Sequence, residues 1–164
     1  MTRPKIKIEL TATDKAVERT GWLMLLAVWV LTITSYSNLP ETIPTHFNGE
    51  GKADGFGSRI NILALPLVAT ILFVGMTIVN KFPYIFNYPT KITEENAFRQ
   101  YSHATRMIRY LKLILVVFFG LIAFKTIESA QGQSFAPGAW PLQLTMGLIF
   151  IPLTYFLIKS FRTR

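Results

Sequence analysis

Four side chains capable of chemistry, His46, Asn48, Asp54 and Arg59, fall close together in the run NLPETIPTHFNGEGKADGFGSR from Asn38 to Arg59. An imidazole beside a carboxylate can act as a general base. The same groups with an amide and a guanidinium can also hold a small polar ligand. Pro40 and Pro44 fix an extended entry to the run. Gly49, Gly51, Gly55 and Gly57 permit turns with positive φ, so the chain can fold back and gather Thr45, His46, Asn48, Glu50, Asp54, Ser58 and Arg59. A loop of this length exceeds what a plain helix connection needs, and such loops are functional more often than short ones.

Two readings of these residues compete. Asn and Asp commonly bond nearby backbone amides in turns, in which case they fix the loop as a lid over what lies beneath. Alternatively Pro44, His46, Asn48, Gly51, Asp54, Gly55 and Arg59 form a ligand or peptide site. A metal centre needs three or four suitable ligands, and one histidine with scattered carboxylates does not supply them, so neither metal nor cofactor is expected. The chain has no cysteine, no HExxH and no GxSxG, which removes the usual zinc-protease, serine-hydrolase and thiol signatures. A membrane enzyme using His46 is the catalytic alternative, and the expectation is that the chain is not an enzyme.

The elements that must position this loop are apolar. About half of the 164 residues are hydrophobic (51%), and they are gathered in four long blocks with the charges between them. Spans are expected at about 21–38, 60–80, 109–128 and 140–161, each near the 17–25 residues that cross a bilayer. Trp22 and Tyr36 mark the two ends of the first, as amphipathic rings do at headgroup level. Pro66 and Pro152 lie inside the second and fourth, where kinks are expected. Lys112 and Lys125 bracket the third and can reach the interface with their ammonium groups. Lys125 and Glu128, three apart, are expected to pair. Soluble helices normally keep a polar face, which blocks one, two and four lack. The fold class expected is all-α, an integral membrane four-helix bundle.

Charge sets the orientation. Fourteen of the seventeen Lys and Arg flank the N-terminus, the second connection and the C-terminus, against three on the other side. By the positive-inside rule both termini lie in the cytoplasm and loop 39–59 lies outside. The net charge of +8 is thereby read as topology, without a nucleic-acid partner. Residues 1–20 form a cytoplasmic tail whose IKIEL run is a strand, an interfacial turn or disorder. Thr93 followed by Glu94, Glu95 and Asn96 signals a helix start, so a cytoplasmic helix over 93–108 is expected to run into the third span. His103 sits among Arg99, Arg106 and Arg109 and reads as a surface residue; Tyr101, Arg106 and Arg109 are candidates for contact with anionic lipid heads.

Leu39, Pro40, Ile43, Pro44, His46, Asn48, Gly51, Asp54, Gly55, Ser58 and Arg59 resemble the signature of a bacterial domain-of-unknown-function family that forms the N-terminal membrane domain of SdpI-type immunity proteins. The resemblance is specific over about twenty residues and extends over roughly Trp22 to Asn80. It implies a multi-pass protein of the bacterial cytoplasmic (inner or plasma) membrane, with an extracytoplasmic loop for immunity to, or sensing of, a toxic peptide. The partners implied are the lipid bilayer, an extracytoplasmic peptide and a membrane or cytoplasmic protein. The alternative is a non-catalytic structural subunit of a larger membrane complex.

Overall fold

The computed structural model describes residues 3–132 and 140–162. Helix α1 runs Ala12–Tyr36 and helix α2 Ala64–Val79; α3 covers Glu94–Ala130 and α4 Trp140–Arg162. Between α1 and α2 lie strands β1, Thr42–Phe47, and β2, Ala53–Ser58, followed by a 3-10 turn over Arg59–Leu63. Among the described residues, three helical stretches are long and apolar enough to cross a membrane: Ala12–Tyr36, Arg59–Val79 and Glu94–Ala130. In α4 the apolar part is shorter, Met146–Lys159. The segment 133–139 and Arg164, which the positive-inside count uses, lie outside the described residues.

Loop 39–59 is a β-hairpin, so the chain is helical with one small sheet rather than all-α. The helices are also not four equivalent staves. The shared core joins α1, α2 and α3 through Leu25, Val28, Ala69, Phe73, Val116 and Ala123, while α4 packs against α3. Lipid tails are as apolar as leucine, so helices within a bilayer are held by close packing rather than by exclusion of water. Small residues supply that closeness here. A Cβ on Gly21 would stand 2.6 Å from the Phe73 ring, and one on Gly120 would stand 3.0 Å from Val28. A hydrogen bond from Trp29 Nε1 to Thr70 Oγ1, 2.9 Å, ties α1 to α2.

The first helix starts nine residues before the expected span. Its cause is a capping box: Thr11 Oγ1 accepts from the Asp14 N–H, and the Asp14 carboxylate accepts from the Thr11 N–H, satisfying two donors that a helix start leaves open. Residues 3–11 ahead of it form no regular element but are anchored. Arg3 donates to the carbonyls of Tyr84 and Phe86, and Tyr101 donates to Pro4 O at 3.1 Å. Thr93 caps α3 in the same manner as Thr11 caps α1. Pro66 falls in the first turn of α2, where a missing N–H has no intrahelical bond to lose. The residues before it complete the entry as a 3-10 turn.

The cationic face of α3 turns inward. Arg106 bonds Asp14, with Nε 3.0 Å from Oδ1. Arg109 lies 3.7 Å from Asp14 and 3.4 Å from Glu18. Lys112 donates to Glu18 Oε2 and to Thr77 Oγ1, both at 2.6 Å, and its ammonium rests over the Phe73 ring. The Lys112 side chain is 1% exposed, so it does not reach out to an interface. Of the three residues expected at lipid heads, Arg109 and Tyr101 are buried inside the bundle, while Arg106 bonds Asp14 but keeps 36% of its side chain exposed. Burial raises the Asp14 carboxyl, but hydrogen bonds from Arg106 and Thr11 outweigh this and hold its pKa at about 2.

Candidate functional site

The hairpin is docked on the helix ends by apolar anchors. Leu39, Ile43 and Ile62 are buried with Ile127 of α3, against Leu31 and Tyr36 of α1. Arg59 closes its base: the guanidinium donates to Leu39 O at 3.3 Å and lies over the Tyr36 ring, and the Arg59 N–H donates to Glu41 O. Asn48 and Gly51 make the turn. Asn48 Oδ1 accepts from the N–H groups of Glu50 and Lys52, both at 3.0 Å, an Asx arrangement. Of the four loop glycines, Gly51 alone has positive φ, at 80°. Gly55 serves close approach instead, since a Cβ there would stand 2.9 Å from the Cβ of His46 across the ladder.

Pairing is regular from Thr42↔Ser58 to Pro44↔Phe56, and then shifts on both sides of His46. Thr45 is the extra residue on β1 and Asp54 the extra residue on β2. Bulges re-aim side chains and increase twist. Here they bring His46 Nδ1 to 2.5 Å from Asp54 Oδ1. The pair is open to solvent, with the His46 side chain 71% exposed, so it adds little stability. No group of three or more His, Cys, Asp and Glu suited to a metal occurs among the described residues.

Under the hairpin is a groove of about 550 Å³. Its roof is β1 and the turn, with Pro44, His46, Asn48 and Gly51. Its floor is the entry to α2 and the far end of α3, with Leu65, Phe118, Leu121 and Ile122. Lys125 and Thr126 stand at its polar end. The structure therefore gathers four of the seven predicted site residues on the groove. Asp54 touches it through His46, while Gly55 and Arg59 shape the hairpin. Lys125 is the residue that the sequence reading misplaced. Its ammonium lies over the Phe47 ring, 4.8 Å from the centroid, and no ion pair joins it to Glu128 among the described residues. The signal available was a lone cation in an otherwise apolar stretch, 66 residues or more from the loop it meets.

The groove combines an apolar wall with a cation, an imidazole, amides and hydroxyls in its lining. Such a surface suits an amphipathic molecule, with its hydrophobic part on Phe118 and Leu121 and its polar or anionic part toward Lys125 and His46.

Residues 23–70, from the first apolar helix through the hairpin to α2, match the family described as a domain of unknown function, DUF1648. An uncharacterized protein of Archaeoglobus fulgidus is 33% identical over 161 residues, covering 91% of this chain and 88% of that relative. No solved structure matches. The chain belongs to the same family as this archaeal protein, and the family is therefore not confined to bacteria.

Proposed function

Starting from membership of that family, we propose that the protein is a multi-pass, non-catalytic recognition module of a prokaryotic cytoplasmic membrane, whose hairpin-roofed groove takes an amphipathic extracytoplasmic peptide. The groove carries this reading: about 550 Å³ of space, walled by Phe118, Leu121 and Ile122 and ended by Lys125 and His46. Four crossings put the groove at the outer edge of the bilayer, where a membrane-active peptide would partition. The positive-inside bias supports both termini in the cytoplasm. The resemblance of residues 39–59 to SdpI-type immunity proteins supports a toxic peptide as the ligand and immunity or sensing as the outcome.

A photoreactive residue at Leu121, in protein reconstituted into nanodiscs, tests this against the peptide fraction secreted by the source cells. An adduct with a peptide is expected. It should disappear in Ala64→Trp, which fills the groove from an exposed position. No adduct, or one indifferent to Ala64→Trp, rejects the reading.

A structural subunit of a larger complex is the second reading. It is favoured by the open apolar row of α1, in which Leu23, Leu26, Val30 and Ile33 are all more than half exposed. A chain that migrates as a defined hetero-complex in mild detergent, and as nothing smaller, would select it.

A further inference from the structure

At the opposite end of the bundle from the hairpin, α3 and α4 leave a second groove between them, of about 480 Å³. Its apolar wall is Ile151, Pro152 and Phe156 of α4, and its polar rim is His103 and Arg106 of α3 with Lys159 of α4. We propose that this groove is a binding site for an anionic phospholipid of the leaflet at that end, with the phosphate on the His103–Arg106–Lys159 rim and an acyl chain along Ile151 and Phe156. The inference rests on the reading of the chain as membrane-embedded.

Three observations carry it. The groove lies where two apolar helices give way to basic residues, the level at which a headgroup meets its chains. Its polar groups are the nitrogens of His103, Arg106 and Lys159 with the phenols of Tyr110 and Tyr155, and no carboxylate lines it among the described residues. Its apolar wall contains Pro152, a helix-interior proline with no N–H to offer the preceding turn. The surplus of positive charge also acts on His103 itself. Burial first, then Lys159, Arg106 and Arg99, hold its imidazole below the usual histidine range, and a phosphate is the group that would relieve this. Arg106 also serves Asp14, so it is left intact in the test.

The experiment measures lipid binding to the full chain by native mass spectrometry from mixed micelles. Phosphatidylglycerol should bind at least about tenfold more tightly than phosphatidylcholine, given two or three cations near the phosphate. The double variant His103→Gln, Lys159→Gln should bring the two lipids to near parity. Lys81→Gln, Lys91→Gln, which removes two exposed cations elsewhere at that end, should leave the preference intact. Equal loss in both variants would mean diffuse charge and overturn the site. A preference surviving in the first variant would overturn it as well. If that variant fails to fold, a photoactivatable phosphatidylglycerol on the wild type decides, with adducts expected near His103 or within 151–159 and adducts confined elsewhere refuting the proposal. Binding of inorganic phosphate alone, as tight as the lipid, would assign the rim to a soluble anion instead. A dimer that dissociates on His103→Gln, Lys159→Gln would assign the groove to a second copy. A chain that inserts correctly and shows no lipid preference fails this proposal and leaves the membrane reading standing.

Discussion

Glu18 is the residue on which the inner end of the bundle turns. Three cations of α3, Arg106, Arg109 and Lys112, meet two carboxylates of α1, Asp14 and Glu18. Removing one partner of a buried pair leaves the other charge without compensation, and this costs more than the pair itself contributes. The cluster already holds one cation in excess, so the two possible deletions are unequal. Glu18→Leu leaves Lys112, 1% exposed, with Thr77 and the Phe73 ring as its remaining partners, and Arg109 beside it loses its nearer acid. We expect a loss of about 3 kcal/mol. Lys112→Met leaves Glu18 with Arg109 and restores parity of charge, so the loss should be smaller, about 1 kcal/mol. Thermal unfolding of the purified variants in one detergent checks the order. If Lys112→Met costs more than Glu18→Leu, charge balance does not govern the cluster. Sequence reasoning did not find this network, although its pieces have a pattern. Asp14 and Glu18 are four apart on one helix face, and Arg106, Arg109 and Lys112 follow at spacings of three on another. What the sequence lacks is the register between α1 and α3, and a cation near the end of a span reads equally well as reaching outward to lipid.

At the scale of elements the hairpin separates what was legible from what was not. The crowding of Pro, Gly, Asn and Asp between two apolar blocks marked residues 39–59 as a loop that folds back on itself, and four of the residues chosen there line a groove. The strands were missed because β2, ADGFGS, has glycine at two of its six positions and no alternation of large apolar residues. Its conformation comes from β1 and from the docking of Ile43 and Leu39, contacts that only the assembled chain provides. Helix starts were legible where acids crowd the first turn, as Glu94 and Glu95 do after Thr93, and missed at Thr11, whose capping box carries the single acid Asp14. The turn of the hairpin is the place to test that this element, not merely its sequence, makes the groove. Asn48→Ala removes the acceptor for the Glu50 and Lys52 amides, a loss of about 1–2 kcal/mol to the local structure. Hydrogen exchange at Glu50 and Lys52 should accelerate by about tenfold, with the helices α2 and α3 unaffected. Acceleration that spreads into α2 would show that the hairpin is a keystone of the bundle rather than a roof placed on it.

At the scale of the whole molecule, charge and packing both bear on which helix ends share a side of the membrane. Two independent asymmetries point the same way. Most Lys and Arg lie at the end that carries residues 3–20, the α2–α3 connection and Lys159, and the hairpin end carries few. The buried charge cluster is also at the first end, so apolar length remains for the bilayer only beyond it. On α1 this leaves the stretch from Gly21 to Tyr36, roughly 24 Å at 1.5 Å per residue, short for a 30 Å core and consistent with Ser37 to Leu39 completing it. Helix α4 has the shortest apolar part, Met146–Lys159, and packs on α3 from outside the three-helix core. The natural absence of cysteine makes the arrangement directly measurable, since any introduced thiol is the sole site for a membrane-impermeant maleimide. Gly49→Cys, at the exposed hairpin turn, and Gln131→Cys, at the far end of α3, should label in intact cells. Glu95→Cys, at the start of α3, and Phe161→Cys, near the end of α4, should label only after permeabilisation. The pattern is diagnostic crossing by crossing. Gly49 and Glu95 on the same side would remove α2 as a span, and Glu95 with Gln131 would remove α3. Labelling of Phe161→Cys from outside would leave α4 lying on the outer face of a three-span protein. That last outcome would also move Lys159 away from His103 and empty the lipid groove of its second wall, so one set of four thiols tests the topology and the premise of the lipid site together.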